Sequence, residues 1–262
     1  MHTQLNPHLS VIIPMYNNLE KVTRAYRTVV ETTDPAITEV LIQDDASPEC
    51  NGVVAFGDKV AQRNDFNLGF GGNCNRATQR ARGTVYLFLN QDCYVPPEQA
   101  GWDRRLLQTL DENPMVGIVG PTLLFPNGTV QSVGGGFDAA GQPYHVALGA
   151  QNPDWEPINT PRDVAWITGA AFAVRVQVWM KLGGFDKVYG RGYFEDVDMC
   201  MLMRHRLQLK VWHEPRIRFY HEVGSAGGTS SFARNAIIFK QRWVDTGIVK
   251  PDVPTLKVRY WA

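Results

Sequence analysis

Three short apolar runs, each stopped by a polar turn, constrain this chain more than any other feature: "LSVIIP" from Leu9, "EVLIQDD" from Glu39 and "TVYLFLN" from Thr84. Each is rich in β-branched or aromatic residues and bounded by turn formers, so each reads as a buried strand. Between the first two, Leu19, Val22, Ala25, Tyr26 and Val29 recur at helical spacing. "KVAQRN" adds a weaker strand, and "NLGFGGNCNRATQRA" reads as a glycine-rich turn entering a helix. Strands alternating with helices at this interval predict βαβ units, hence an α/β fold with a mostly parallel central sheet. Ligands of such sheets bind beyond the carboxyl ends of the strands, where "QDDAS" and "NQD" fall.

After a helix over "QAGWDRRLLQTLDENP" the pattern changes. "MVGIVGPTLLFPNGTVQSVGGGF" predicts short strands joined by a turn at Asn127-Gly128. Residues 138–161 are rich in Pro, Gly and Asn and predict a long loop of the kind that serves as a binding loop or lid. "AWITGAAFAVRVQVWMKLGGFD" resumes order, and "YFEDVDMCMLMRHRLQLKVW" predicts a helix followed by a strand. The tail from His221 is Gly/Ser-rich and then amphipathic. With no clean linker, one domain with two lobes is expected: about 8–125 and about 126–225, followed by a tail over 226–262.

At 262 residues and 44% hydrophobic, the chain is long enough to bury a full core. Its formal net charge of zero gives no footprint for a nucleic-acid partner. Cys50, Cys74, Cys93 and Cys200 are widely separated and follow no signal peptide, so reduced thiols facing the cytosol are expected. No run approaches the roughly 18 apolar residues a membrane span needs. Peripheral contact with a membrane stays compatible with this composition, as does an oligomer.

Several groups have both a plain structural role and a chemical one open to them. Asp44-Asp45 suits an Asx turn or helix cap, and equally a hydrogen-bonded contact to a ribose or a base. Gly69, Gly71 and Gly72 allow either tight packing or close backbone approach to an anion, although the spacing is neither G-x-G-x-x-G nor a phosphate loop. Glu195, Asp196 and Asp198 favour a helix N-terminus, and three acids in four positions exceed what a cap requires. Of the three, Asp198 is the best candidate for an internal ion pair, with Arg204 or a neighbour. His221, at the expected end of a strand, suits a ligand or a packed ring. His205 and His213 read as structural or exposed. Trp166 and Trp179 are the tryptophans expected nearest a ligand.

The order of these pieces resembles the family 2 glycosyltransferases of the GT-A, Rossmann-like nucleotide-diphospho-sugar fold, most closely a rhamnosyltransferase-like branch. "SVIIPMYN" is similar to the family's first strand and turn, "QDDAS" to its base-recognition acids and "NLGFGGNCNRA" to a segment characteristic of the branch. "LFLNQD" stands where the metal-binding Asp-x-Asp is found, "WITGAAFAVRVQVWMKLGGFD" where acceptor residues lie, and "YFEDVDMCMLMRHR" where the catalytic helix lies. The resemblance implies a nucleotide-binding first lobe and an acceptor-binding second lobe. It implies nucleotide contacts from Pro14, Tyr16, Asn17, Asp45, Asn67, Gly69, Gly72, Asn73, Asn90 and Gln91. Asp92 and His221 would hold Mg2+ or Mn2+, Asp196 would be the catalytic base, and Trp166, Gly169 and Glu195 would face the acceptor. Asn90 replaces the family's first Asp and brings no charge, which throws more of the metal's coordination onto Asp92 and the diphosphate. The expected activity is inverting, metal-dependent sugar transfer from dTDP-rhamnose or a UDP-sugar to a glycan or lipid-linked hydroxyl, in surface polysaccharide synthesis at the inner face of the cell membrane. The contrasting expectation is a catalytically silent carbohydrate- or nucleotide-binding module on the same fold.

Overall fold

The computed structural model describes residues 8–222 and 230–250. In chain order the first half comprises β1 (Leu9–Met15), α1 (Leu19–Thr32), β2 (Thr38–Asp44), α2 (Gly52–Phe56), β3 (Ala61–Arg63), α3 (Gly69–Ala77), β4 (Val85–Leu89), β5 (Cys93–Tyr94) and α4 (Trp102–Glu112). Then follow β6 (Val116–Leu124), β7 (Val130–Ser132), β8 (Gly135–Phe137), β9 (Pro143–His145), β10 (Arg162–Asp163), β11 (Ala171–Arg175), α5 (Val176–Leu182), α6 (Glu195–Leu202), β12 (Lys210–His221) and α7 (Ser230–Phe239). The Gly/Ser-rich stretch 223–229 and the end of the tail lie outside the described residues.

The central strands alternate at period 2 with both faces buried. In β4, Val85, Leu87 and Leu89 enter one core with Leu9, Val11 and Ile13 of β1 and with Val22, Trp102 and Leu106 of the helices beneath. Tyr86 and Phe88 enter the other, against Phe172, Trp179 and Phe185. Trp179 is therefore a core residue, its ring 4.8 Å from Phe88 and 5.0 Å from Phe185. Each such large side chain contributes about 1.5–3 kcal/mol by leaving water.

The sheet order is β10-β12-β6-β11-β4-β1-β2-β3. β1, β2, β3 and β4 are parallel, as expected, and so are β6 and β12. β11, however, lies antiparallel between β4 and β6, so the sheet is mixed. The reversal has a physical consequence. β11 starts where β4 ends, with Ala171 opposite Leu89, which delivers Gly169 and Ala170 to the carboxyl end of β4. A parallel strand would have placed them at the far edge.

The segment 138–161 is irregular apart from β9, as expected of a loop, but it is anchored at several points. Phe137 pairs with Pro143 in the β8–β9 hairpin, and Ala150 and Ile158 are buried with Leu124, Val130 and Val133 in a small satellite core. Irregularly spaced apolar residues escape a periodicity reading yet still find a common pocket. Among the described residues no helix is long and apolar enough to cross a membrane.

Candidate active site

Strand register assembles the first half of the site. β5 pairs antiparallel with the end of β12, setting His221 opposite Cys93 and so beside Asp92. His221 Nε2 lies 3.1 Å from Asp92 Oδ1 and 3.5 Å from Asn90 Nδ2. Asp92 is 3% exposed, and its carbonyl accepts from Glu222 N at 3.0 Å. On the other side of the ring, Nδ1 lies 2.6 Å from Gln131 Oε1, while Gln131 Nε2 donates to the His221 carbonyl at 3.2 Å. His145 stands near by on β9, its Nδ1 3.0 Å from Ser132 Oγ and its ring 4.9 Å from Trp166. Burial, and then the proximity of His221, push the His145 imidazole down to about 4, so it is neutral at physiological pH. Gln131, Ser132 and His145 were not found by sequence reasoning, because short polar positions in "TVQS" and "PYH" carry no motif.

The second half comes from the reversed strand. Asn90 N donates to Ala170 O at 2.9 Å, and one residue earlier Gly169 N donates to Asp196 Oδ2 at 2.6 Å. The Asn90–Asp92–His221 group and Asp196 are thus tied through Gly169-Ala170. The other Asp196 oxygen accepts from Val197 N at 2.8 Å. Burial raises the Asp196 carboxyl while these N–H groups pull against it, a balance that makes a stronger base than a free carboxylate. A Cβ on Gly169 would lie 3.2 Å from the Phe70 ring and 3.5 Å from Asp196 Cβ, so Phe70 walls this corner. It too was missed by sequence reasoning.

Glu195 does not face that corner. It is 6% exposed, its Oε2 has no hydrogen-bond partner among the described residues, and its stem lies against Gly71 of α3. Burial and then the neighbouring Asp196 push it up to about 8. Little of Glu195 is open to make the acceptor contact expected of it. Trp166 differs in the same way: it is 4% exposed, its Nε1 donates to Gly136 O at 3.0 Å, and a Cβ on Gly135 would fall 1.9 Å from its ring. Asp198 has an internal role, accepting from Tyr189 OH at 2.9 Å, Trp243 Nε1 at 2.6 Å and Arg242 Nη1 at 2.8 Å. Its ion pair is with Arg242, whereas Arg204 pairs with Asp163. His213 is fully buried against Thr122, and His205 packs on Trp243.

At the carboxyl end of β2 the acids point inward. Asp44 accepts from Ser47 N and Gly52 N, both at 2.9 Å, and pairs with Arg63. Asp45 is 3% exposed and accepts from Asn64 Nδ2 at 2.8 Å, Leu68 N at 2.7 Å and Gly69 N at 2.9 Å. Phe70 N is taken by Arg191 O, so the start of α3 offers no free cluster of N–H groups to an anion. Gly69 has φ +75°, and a Cβ there would lie 2.4 Å from Gly190 O, which makes packing the reason for that glycine. Gly72 is looser, its nearest obstacle being Leu68 Cβ at 2.9 Å. Asn73 is buried, donating to Gln43 O and accepting from Asn64, and so does not face a nucleotide. Pro14 is buried in β1. Gln91 is buried and stitches β4 to β1 by accepting from Tyr16 N at 2.8 Å and donating to Tyr16 O at 3.1 Å. The Tyr16 side chain itself is 42% exposed. Asn17 (φ 56°) is half-buried and Asn67 exposed, so these three, with the half-buried Gly72, are the accessible members of the expected nucleotide set on this side.

The glycosyl transferase family 2 profile matches residues 10–160. The chain belongs to glycosyl transferase family 2. Among curated relatives of this family 2 chain, the uncharacterized protein y4gI of Sinorhizobium fredii is 23% identical over 253 residues, 90% of this chain and 28% of that protein. The O-antigen biosynthesis protein RfbC of Myxococcus xanthus is 35% identical over 128 residues, 43% of this chain and 9% of its own length. The family 2 chain thus spans under a third of either relative. In fold it is similar to GalNAc-T7 crystallised with UDP, GalNAc and Mn2+ (TM-score 0.72, 17% identity, covering 92% of this chain and 50% of that one). It is also similar to the mannosyltransferase PcManGT of Pyrobaculum calidifontis with GDP-Man and Mn2+ (0.62, 17%, 95% and 66%). These likenesses show a GT-A, Rossmann-like fold with a mixed sheet.

Among the described residues no group of three His, Cys, Asp or Glu forms a complete metal cage. The donors present still fit a divalent cation that brings other ligands with it. Asp92 offers oxygen, His221 offers Nε2, and Gln131 holds the opposite ring nitrogen as an orienting partner does in metal sites.

Proposed function

We propose that this chain catalyses inverting transfer of a sugar from a nucleoside-diphosphate donor to an acceptor hydroxyl. The observation that carries this reading is the tie between two groups of residues. Asp92, Asn90 and His221 on one side meet Asp196 on the other through the Gly169-Ala170 backbone, at the carboxyl ends of β4 and β6. Asp92 and His221 would hold Mg2+ or Mn2+ together with the donor diphosphate. When bound, such a cation neutralises charge developing on the leaving diphosphate. Asp196 accepts the proton of the acceptor hydroxyl, whose oxygen bonds to the anomeric carbon as the bond to the diphosphate breaks. Attack from the opposite face inverts the centre. Tyr16, Asn17 and Asn67 line the nucleoside end, and Asp45 acts there by holding the Leu68-Gly69 turn. Phe70 and Gly169 border the acceptor.

The relative named for O-antigen biosynthesis supports a surface polysaccharide as the product, and dTDP-rhamnose or a UDP-sugar is the donor we favour. We further propose that the whole chain acts as one domain of two lobes, with transfer at the inner face of the membrane to a glycan or lipid-linked saccharide. A sugar-binding module without turnover is the second reading, favoured by the uncharged Asn90 beside a pair of protein donors. Incubation with Mn2+, a panel of dTDP-, UDP- and GDP-sugars and a glycan or lipid-linked saccharide acceptor separates the two. Release of nucleoside diphosphate by native protein, lost in Asp196→Asn, is expected; binding of a donor without release supports the module.

A further inference from the structure

We propose that Gln131 is a positioning residue, one that fixes His221 with its proton on Nδ1 and presents Nε2 as the atom for a divalent cation. This rests on the metal-dependent reading above, but the geometry behind it stands alone. Gln131 is 6% exposed and both ends of its amide are used on one residue: Oε1 lies 2.6 Å from His221 Nδ1, and Nε2 donates to the His221 carbonyl at 3.2 Å. The second contact decides the first. A flipped amide would set its oxygen against the carbonyl oxygen of His221, so Oε1 must face Nδ1 and accept from it. Nε2 is then the nitrogen turned toward Asp92 Oδ1 at 3.1 Å and Asn90 Nδ2 at 3.5 Å.

The fold holds this contact firmly. β7 pairs with β6 through Ser132 opposite Leu123 and Val130 opposite Leu124, and β12 lies on the same strand with Tyr220 opposite Leu124. Gln131 and His221 are therefore carried by neighbours of one central strand, and the amide bridges across its end. Ordering an imidazole this way removes the cost of selecting tautomer and rotamer at the moment a cation binds. Loss of such a partner commonly weakens metal affinity by about 10–100-fold.

The test uses protein labelled with 15N-histidine, with the His221 resonances assigned by their absence from His221→Gln. In metal-free native protein at pH 9, Nδ1 should give a protonated-type 15N shift. In Gln131→Met the proton should redistribute to Nε2, and Gln131→Glu, which still accepts from Nδ1, should restore the native pattern. Mn2+ binding, read by loss of the free-ion electron paramagnetic resonance signal with UDP or dTDP present, should weaken about 10–100-fold in Gln131→Met and only a few-fold in Gln131→Glu. An unprotonated Nδ1 in native protein, or a Gln131→Met spectrum like the native one, overturns the proposal. Should Gln131→Met fail to fold, the native spectrum and the Gln131→Glu variant still decide it. A tautomer that shifts while Mn2+ affinity does not would instead remove His221 from the metal site, refuting the reading beneath.

Discussion

At the scale of single residues, the adjacent acids Glu195 and Asp196 are separated by environment rather than by chemistry. Both are carboxylates at the start of α6, yet one is an orphan inside the core and the other is partly exposed and hydrogen-bonded at the corner with Gly169. Sequence could mark the cluster, and the family resemblance could select Asp196, but only packing against α3 shows that Glu195 is largely buried. Asp196→Asn should lower turnover by about 10²–10⁴-fold with donor binding retained, whereas Glu195→Gln, which mimics the protonated form, should stay near native. Steady-state kinetics of donor consumption checks both. Because burial raises Asp196, the acid limb of the activity profile should lie above the ordinary carboxylate range: activity falls as pH drops through the raised value and the base is protonated. Glu195 adds a stability effect of defined sign. Its proton is held more tightly in the folded chain than in the unfolded one, so its contribution is greatest below its ordinary 4.5 and is lost as pH rises to about 8. The melting temperature of native protein should therefore decline relative to Glu195→Gln between about pH 5 and 8, measured by thermal denaturation. A constant difference across that range would remove the charge argument.

Elements explain why some motifs read true and others did not. The strands β1, β2 and β4 were legible because burial on both faces leaves an unbroken apolar signature. The direction of β11 was not, since antiparallel and parallel strands of this length look alike until their neighbours are known. The glycine turn is the clearest case of a motif whose spacing admits two roles. Its N–H groups are spent on Asp45 and Arg191, and Gly69 is required by the backbone of Gly190. Gly69→Ala should cost about 1–2 kcal/mol for the left-handed backbone and about 1–3 more for the clash. Gly72→Ala, where φ is ordinary and a side-chain carbon is the obstacle, should cost less; urea unfolding of the two variants decides. The 138–161 segment lacked a repeat and so read as a loop, which it is outside β9, but the burial of Ala150 and Ile158 was not legible. Ile158→Ala should destabilise by about 2–5 kcal/mol or release this segment to proteases, while native protein resists cleavage between 146 and 158. Rapid native cleavage there would restore the lid.

On the scale of the whole molecule, strands from both halves of the chain interleave in one sheet, and the site exists only where they do. Asp92 follows β4, His221 ends β12, Gly169 precedes β11 and Asp196 begins α6, so about 130 residues of sequence are brought to one edge. Lys21 and Arg24 of α1 pair with Glu222 at 3.3 and 2.6 Å, fastening the end of β12 beside Asp92. The ordered family resemblance made this convergence legible, while the buried partners that hold it, Gln131 and Phe70 among them, carry no motif. The central claim is that donor binding depends on a cation held at Asp92. Calorimetric titration of UDP, dTDP and GDP with and without Mn2+, on native protein and Asp92→Asn, tests it most directly. One nucleotide should bind native protein tightly only with Mn2+, and Asp92→Asn should lose that enhancement. Equal affinity in all four conditions would contradict the account.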